Sequence, residues 1–233
     1  MTRAPLPQRQ RQRPAICSSD RAEFVMAASK KPRPSSARSS IGAIRRQAEA
    51  CRRCDLWKHA TQTVFGAGPS GARIMLVGEQ PGDAEDLKGE PFVGPAGQLL
   101  RHALEDAGID LRNVYLTNVV KHFKWEPRGK RRIHKKPRHS EVQACRVWLD
   151  AEIAMVKPRA IVALGATAAQ AVIGPDAKVT RDRTKSFPSP LAPLVTLTVH
   201  PSSILRAPDS ETRAAERAHF VDDLRSIAAQ VTT

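Results

Sequence analysis

Long apolar runs, cysteine and acidic residues are all scarce in this sequence, and each scarcity narrows the class of protein. No apolar run approaches the roughly 20 residues that a membrane-spanning helix needs. The N-terminus is basic and lacks the apolar segment of a secretory signal, which predicts a cytoplasmic protein with no membrane partner. Cysteine occurs four times in 233 residues, and so few thiols in an intracellular protein indicate metal ligands or core positions rather than disulfides.

Acidic residues fall well short of the basic ones. The chain has 38 Lys and Arg against 23 Asp and Glu, which leaves a formal net charge of +15. So strong a positive field favours a polyanionic partner, of which nucleic acid is the commonest. A solvated basic surface without a dedicated ligand has the same composition, so charge alone leaves both interpretations open.

The first 40 residues concentrate this charge. They contain nine Lys or Arg, two acids and five prolines, a composition typical of a disordered segment. Such a basic tail either holds DNA loosely or reflects an overlong gene start, with Met26 as a shorter beginning. Without the tail, residues 41–233 keep a formal charge of +8, so the predicted folded domain is basic in its own right.

From residue 41 onward, apolar strand-like runs alternate with helical patterns. Ser140 is the predicted N-cap of one helix, with Glu141 in its first turn. The alternation predicts a single α/β domain with a central parallel sheet of about four strands flanked by helices. The predicted helices span residues 41–50, 97–107, 140–155, 166–173 and 211–230, and the strands span 73–78, 113–120, 160–164 and 194–199.

Functional loops of parallel sheets follow the carboxyl ends of the strands, and polar or aromatic residues stand there in this sequence. An amide such as that of Asn118 offers both a donor and an acceptor to a base edge. Each of these residues also has a structural interpretation as a cap or a turn, but four such groups at successive strand ends favour a site. They are Gly78-Glu79-Gln80-Pro81-Gly82-Asp83, Phe92 in the loop 89–97, Asn118, and His200-Pro201-Ser202.

These motifs resemble those of the iron–sulfur uracil–DNA glycosylases, over roughly residues 45–228. The resemblance implies that Phe92 stacks on a flipped-out uracil, that Asn118 binds its Watson–Crick edge, and that His200 stabilises the departing uracil anion. It also implies that the backbone of the turn from Gly78 through Gln80 to Gly82 lies against the base. Base flipping requires such a stacking face, edge readout and a dry pocket.

The segment from Gly129 to His134 is, by composition, a basic loop suited to phosphate contacts. Its Lys-Arg-Arg-Ile-His run also resembles the distinguishing loop of the UdgX branch, which Gln80 matches too. That resemblance implies that His134 attacks the sugar carbon after uracil leaves, since the oxocarbenium-like sugar accepts a well-placed nucleophile. Glu79 then orients His134 or takes its proton, and Asp83 has a supporting role. The implied DNA contacts are Lys130, Arg131, Arg132 and Ser202.

Cys51 and Cys54 form a CxxC pair, which by itself fits zinc, an iron–sulfur cluster or coincidence. The family resemblance places Cys145 at the last cluster ligand and His122 at a position that is usually cysteine. It therefore implies a [4Fe–4S] cluster held by three cysteines and one histidine. Zinc is the alternative metal for the same ligands, and Cys17 in the tail lies outside the set.

The resulting hypothesis is an enzyme that recognises uracil in DNA, with single-stranded DNA preferred, and excises it. The protein then becomes covalently joined to C1′ of the deoxyribose through His134, and it acts as a monomer. Two alternatives stay open: an ordinary hydrolytic glycosylase in which water completes the reaction, and a metal-containing module that binds nucleic acid without chemistry.

Overall fold

Six strands form two separate sheets in the computed structural model, which describes residues 40–232. Four strands pair in parallel in the order β2-β1-β5-β6, and β3 pairs with β4 in an antiparallel hairpin. The predicted tail and Cys17 lie outside the described residues. The strands are β1 (Ile74–Gly78), β2 (Val114–Asn118), β3 (Trp125–Arg128), β4 (Arg131–His134), β5 (Ala160–Leu164) and β6 (Leu194–Thr198).

Helices connect the strands and cover the sheet. The predicted α/β architecture with a four-stranded parallel sheet is confirmed. None of the described helices combines the length and apolar character that crossing a membrane requires. The helices are α1 (Ile41–Glu49), α2 (Asp83–Lys88), α3 (Pro95–Asp106), α4 (His139–Val156), α5 (Ala166–Val172), α6 (Val179–Asp182), α7 (Pro201–Leu205) and α8 (Ser210–Thr232).

The start of α4 differs from the prediction. The helix begins at His139 with Arg138 as the N-cap residue, so the predicted cap at Ser140 is wrong. The carboxylate of Glu141 replaces the hydroxyl, because its Oε2 accepts a hydrogen bond from the Arg138 N–H at 2.6 Å. Glu141 does lie in the first turn, where a negative charge interacts favourably with the helix dipole.

The sheet buries both of its faces, as the continuous apolar runs of its strands predict. All five residues of each of the four parallel strands are buried. One face packs on α4 and α5, and the other packs on α3, α7 and α8. The two faces alternate along β1: Met75 and Val77 contact the first group of helices, and Ile74 and Leu76 contact the second.

The basic segment that ends at His134 is a hairpin, so its interpretation as a loop is corrected. Trp125 pairs with His134, and Arg128 pairs with Arg131 across the turn. Gly129 at the turn has a φ of 59°, a left-handed conformation that favours glycine. The hairpin therefore gives His134 a defined position at the end of β4.

The sheet order places β1 beside β5 at its centre. The chain leaves β1 toward β2 on one side, and leaves β5 toward β6 on the other. Open α/β sheets bind their ligands at such a switch point, outside the carboxyl ends of the strands.

Candidate active site

A cleft of about 850 Å³ opens at the carboxyl edge of the sheet. Loops after β1, β5 and β6, the last residue of β2 and the end of the hairpin all contribute to its walls. Of the predicted catalytic, base-binding and DNA-binding residues, Gly78, Asp83, Lys130, Arg131 and Arg132 do not line it. Those that line it are Glu79, Gln80, Gly82, Phe92, Asn118, His134, His200 and Ser202.

Gly78, Phe92 and Asn118 fit together at the floor of the cleft. Asn118 and Phe92 are 3% and 5% exposed, so the ring and the amide stand in a nearly dry environment. A side chain on Gly78 would overlap the Asn118 amide oxygen and would come within 2.8 Å of Phe92 Cζ. Glycine at the end of β1 therefore makes room for both groups, which is a role beyond a simple turn.

The backbone at Phe92 adopts a left-handed conformation with a φ of 57°. Bulky residues rarely adopt this conformation, and such strain concentrates at functional sites. Gly97 makes it possible, because a Cβ there would lie 2.6 Å from Phe92 Cα. The Phe92 ring stacks on the His200 ring, with centroids 6.2 Å apart and planes 28° apart.

His200 has one nitrogen fixed and one nitrogen free for a ligand. Its Nδ1 accepts a hydrogen bond from the Ser202 backbone N–H at 3.1 Å and lies 2.8 Å from the Ser202 hydroxyl. In a neutral ring the proton then resides on Nε2, which becomes a donor. Burial, with smaller contributions from Arg206 and His134, lowers the pKa of His200 to about 4. The ring is therefore neutral near pH 7.

Glu79 connects the hairpin to the loop after β5. Its Oε1 lies 3.4 Å from Nε2 of His134, and its Oε2 accepts a hydrogen bond from the Thr167 hydroxyl. Thr167 was missed at the sequence level, although it follows Gly165 at the end of β5, where the strand-end rule applies. The side chain of His134 is 49% exposed, so it stands at the mouth of the cleft.

Arg132, on β4, is held by two carboxylates of α2. Its Nε lies 2.6 Å from Asp83 and its Nη1 lies 2.6 Å from the fully buried Asp86. The guanidinium also lies over the rings of Phe123 and Trp125, at 5.5 and 5.6 Å from their centroids. Arg132 therefore attaches the hairpin to α2, which a residue that only contacts DNA would not need to do.

Lys130 and Arg131, in contrast, are exposed at the tip of the hairpin. Asp86 was not singled out from the sequence, because its partner in the hairpin is 46 positions away. Glu85 was missed as well. Its carboxylate accepts hydrogen bonds from Gly82 N at 3.1 Å and from Gly94 N at 2.7 Å, and so ties two walls of the cleft together.

A buried ion pair lies behind Asn118. The Lys121 ammonium donates to Glu152 Oε2 at 2.6 Å, to the Thr117 hydroxyl at 2.6 Å and to the Asn118 carbonyl at 2.8 Å. Both charged side chains are at most 1% exposed. Because all three N–H donors of the ammonium have partners, the network fixes the backbone at the end of β2.

The predicted metal ligands occupy a separate region next to α4. Cys51, His122 and Cys145 are buried and Cys54 is half-buried, and all three thiols interact electrostatically with one another. Cys51 Sγ accepts a hydrogen bond from the Trp148 indole at 3.1 Å, and Cys145 Sγ accepts one from the Lys121 N–H at 3.2 Å. Such donors stabilise thiolates around an iron–sulfur cluster, so the donor set fits one.

The protonation of these ligands also bears on metal binding. Burial raises the pKa of Cys145 to about 12 and lowers the pKa of His122 to about 4. The imidazole is thus neutral and ready to bind a metal, whereas the thiol must lose a proton on binding. Within residues 40–232, no three His, Cys, Asp or Glu side chains are close enough together to share a single metal ion, whereas the four ligands of a [4Fe–4S] cluster each bind a different iron.

The sequence of this chain is similar to those of known proteins over most of its described residues. The family model of the uracil DNA glycosylase superfamily matches residues 65–225, which contain every residue that lines the cleft. The chain belongs to the uracil DNA glycosylase superfamily. Cys51 and Cys54 lie before the matched region, and His122 and Cys145 lie within it.

Members of this superfamily from several organisms are similar to the chain. A type-4 uracil-DNA glycosylase of Archaeoglobus fulgidus is 44% identical over 131 residues, which are 56% of this chain and 62% of that protein. One of Pyrobaculum aerophilum is 38% identical over 181 residues, 75% of this chain and 86% of its own length. One of Thermotoga maritima is 37% identical over 171 residues, 73% and 85% of the two chains.

Proposed function

We propose that the protein excises uracil from DNA and then becomes covalently joined to the deoxyribose through His134, as in the UdgX branch. The single observation that carries the proposal is the Glu79–His134 pair, 3.4 Å apart, at the mouth of the cleft that contains Asn118, Phe92 and His200. A protein that binds nucleic acid by charge alone requires none of these groups.

Recognition of the base uses the buried floor of the cleft. The Phe92 ring provides a stacking face, and the Asn118 amide provides a donor and an acceptor for the uracil edge. The backbone of both residues is fixed before the base arrives, that of Phe92 by its left-handed conformation and that of Asn118 by the hydrogen bond from Lys121 to its carbonyl. A rigid, dry site favours hydrogen-bond readout, because a mismatched base leaves a buried group unpaired.

Cleavage breaks the bond between C1′ and the uracil nitrogen, and both electrons leave with the base. The neutral His200 ring can donate its Nε2–H to a uracil carbonyl oxygen as negative charge develops there. Such a donor in a water-poor site stabilises the transition state more than the ground state. The sugar retains oxocarbenium character and accepts a nucleophile on its exposed face.

The covalent step uses a lone pair of the His134 imidazole, which forms a new bond to C1′. The alkylated ring is then positively charged and loses its remaining N–H proton, for which Glu79 is the adjacent carboxylate. Uracil leaves as the anion and takes a proton from solvent. No water is consumed, so the protein itself is the acceptor of the sugar and each molecule reacts once.

An ordinary hydrolytic glycosylase is the second candidate, and the exposure of His134 favours it. With half of the side chain exposed, water has access to the same sugar face. In that case Glu79 would orient the water, and the enzyme would turn over. The names of the similar type-4 enzymes agree with this candidate at least as well.

Denaturing electrophoresis on single-stranded uracil-DNA separates the two candidates. Wild-type protein should give a protein–DNA band that survives denaturation. The His134→Gly variant should give no such band, and alkaline cleavage should reveal abasic product instead. His102→Gly, an exposed histidine on α3, is the control for loss of a histidine. An undiminished adduct from His134→Gly would contradict the covalent mechanism, and abasic product alone from the wild type would favour the hydrolytic candidate.

We also propose that Cys51, Cys54, His122 and Cys145 hold a [4Fe–4S] cluster. When bound, such a cluster would link the end of α1 to α4 and stabilise the fold close to the site, without taking part in cleavage. Anaerobically purified protein should be brown and contain about four irons per chain. Cys145→Ser should lose colour and iron, whereas Cys17→Ser should retain both. Colourless protein with stoichiometric zinc would contradict the cluster.

The expected partner is uracil-containing DNA, bound by a monomer that acts in the cytoplasm. The exposed Lys130 and Arg131 at the hairpin tip support a phosphate contact beside the flipped nucleotide. Single-stranded DNA should be preferred, because its bases require less unstacking energy to enter the cleft. Rates on matched single- and double-stranded substrates, together with light scattering of the purified protein, test these two expectations.

A further inference from the structure

Gln80 lines the cleft, but its side chain is directed toward the hairpin. Nε2 donates to the Lys124 carbonyl and to the Lys135 carbonyl, each at 3.1 Å, and Oε1 accepts from the Lys124 N–H at 3.2 Å. The side chain is buried, with the residue 7% exposed. Both amide donors are therefore used within the protein, and neither remains for the uracil edge.

The three bonds are made at the neck of the hairpin, where its two strands begin and end. Lys124 precedes β3 and Lys135 follows β4, and the Lys135 N–H donates to the Lys124 carbonyl at 2.9 Å. The next pair in the ladder is Trp125 with His134. Gln80 thus binds the hairpin one residue away from the candidate nucleophile. A two-stranded hairpin is marginally stable by itself, so such an attachment matters for its position.

We infer that Gln80 is a positioning residue that holds His134 against Glu79; this inference rests on the proposed covalent function. Glu79 and Gln80 are consecutive, and the Glu79 carbonyl accepts a hydrogen bond from Val120 N at 3.0 Å, which fixes both to the sheet. One residue thus presents the carboxylate to the imidazole, and the next holds the strand that carries the imidazole. The distance between the Glu79 carboxylate and the His134 imidazole is therefore set by two consecutive residues, Glu79 and Gln80.

The chemistry of the amide explains why glutamine is required. Glutamate would keep an acceptor for the Lys124 N–H but would place charge against two carbonyl oxygens. Methionine has a similar length and no hydrogen bond, and asparagine is one methylene shorter. A shift of about 1 Å at a reacting group can lower a rate by about 100-fold, and water needs less exact placement than a tethered ring. Loss of the three Gln80 side-chain hydrogen bonds to the hairpin, which we call the Gln80 clamp, should therefore reduce adduct formation more than base release.

The experiment measures the ratio of adduct to abasic product for wild type, Gln80→Met and Gln80→Glu on uracil-DNA. Both variants should lower the ratio about tenfold. Gln230→Met is the control, since Gln230 also donates a side-chain hydrogen bond to a backbone carbonyl, that of Ser226, within α8. Its ratio should stay within about twofold of the wild type. An unchanged ratio in both Gln80 variants would overturn the positioning role.

Amide hydrogen exchange of residues 124–135 separates this inference from the proposed function. Exchange should accelerate in Gln80→Met and stay at the wild-type rate in Gln230→Met, whatever the chemistry of His134. If the wild type forms no adduct but hydrogen exchange accelerates in Gln80→Met, the proposed covalent function is wrong, and the role of Gln80 in holding the hairpin is supported. If exchange is unaffected, the clamp itself is wrong.

Discussion

The carboxyl edge of the parallel sheet and the β3–β4 hairpin meet at one cleft, but they are built differently. The edge is buried and its residues are fixed through the backbone, as with the left-handed Phe92 and with Asn118, which pairs with Gly78 in the parallel ladder. The hairpin is largely exposed and is attached through side chains, those of Gln80, Asp83 and Asp86. Changes at the edge should therefore affect base release, whereas changes at the hairpin should affect what happens to the sugar afterwards.

The largest effect is expected at the edge, from His200→Asn. Asparagine is shorter than histidine, so its amide donor does not reach the leaving base, and cleavage should slow by about 100- to 1,000-fold. Adduct and abasic product should fall together, because both follow the same cleavage step. Single-turnover kinetics on uracil-DNA measure the effect, with His102→Asn on α3 as the control. A variant that lost adduct but released uracil at the normal rate would break the division between the two regions.

Asn118→Asp should have the next largest effect, about 100-fold on uracil release. The carboxylate cannot donate to the uracil carbonyl, and it repels the departing anion. Asn113→Asp, exposed at the opposite end of β2, introduces the same charge outside the cleft and should be neutral. Wild-type rates with Asn118→Asp would show that this amide does not read the base.

Arg132→Lys probes the hairpin side of the comparison. A lysine keeps the charge but cannot bind Asp83 and Asp86 as the guanidinium fork does. The ratio of adduct to abasic product should fall about tenfold, while uracil release changes by less than about threefold. Arg128→Lys, exposed at the end of β3, is the matched control. Equal losses in both products would mean that Arg132 also supports cleavage.

The smallest effect concerns pH and the stability of the edge. The pKa of His200 is about 4 in the folded protein, below the ordinary value of 6.5, so the unfolded chain binds more protons between these values. Stability is therefore fully present above about pH 6.5 and is lost as the pH falls toward 4, by on the order of 2 kcal/mol.

Urea titrations at pH 7 and pH 4.5 test this pH dependence. His200→Asn should reduce the destabilisation between the two pH values, because the variant lacks the imidazole whose pKa is lowered by burial. An identical pH dependence in wild type and variant would show that His200 does not titrate as its burial implies.

Local patterns predicted the edge well and the hairpin poorly. Apolar runs that end in glycine or a polar residue defined β1 and β5, and the strand-end rule located Asn118 and His200. The hairpin has no apolar alternation and contains Pro127, so its basic composition indicated a loop. Its structure depends on ion pairs and on the Gln80 clamp.

Long-range partners account for two of the residues that were missed. Asp86 meets Arg132 across 46 positions, and Thr167 meets Glu79 across 88. Such pairs leave no periodic signal in the sequence. They become visible only when the fold brings the loops together.

The buried pair of Lys121 and Glu152 has a consequence for how this protein can change over generations. Removing either partner alone would leave an uncompensated charge in the core, at about 3–5 kcal/mol, which is a large fraction of the stability of an ordinary domain. Replacing both by apolar residues of similar size removes the penalty of the unpaired charge, but the Gly66 N–H and the Thr117 hydroxyl then lose Glu152 as their acceptor. The two positions should therefore be inherited as a unit: viable descendants keep both charges or exchange both, and a lineage that loses one is under immediate pressure to lose the other.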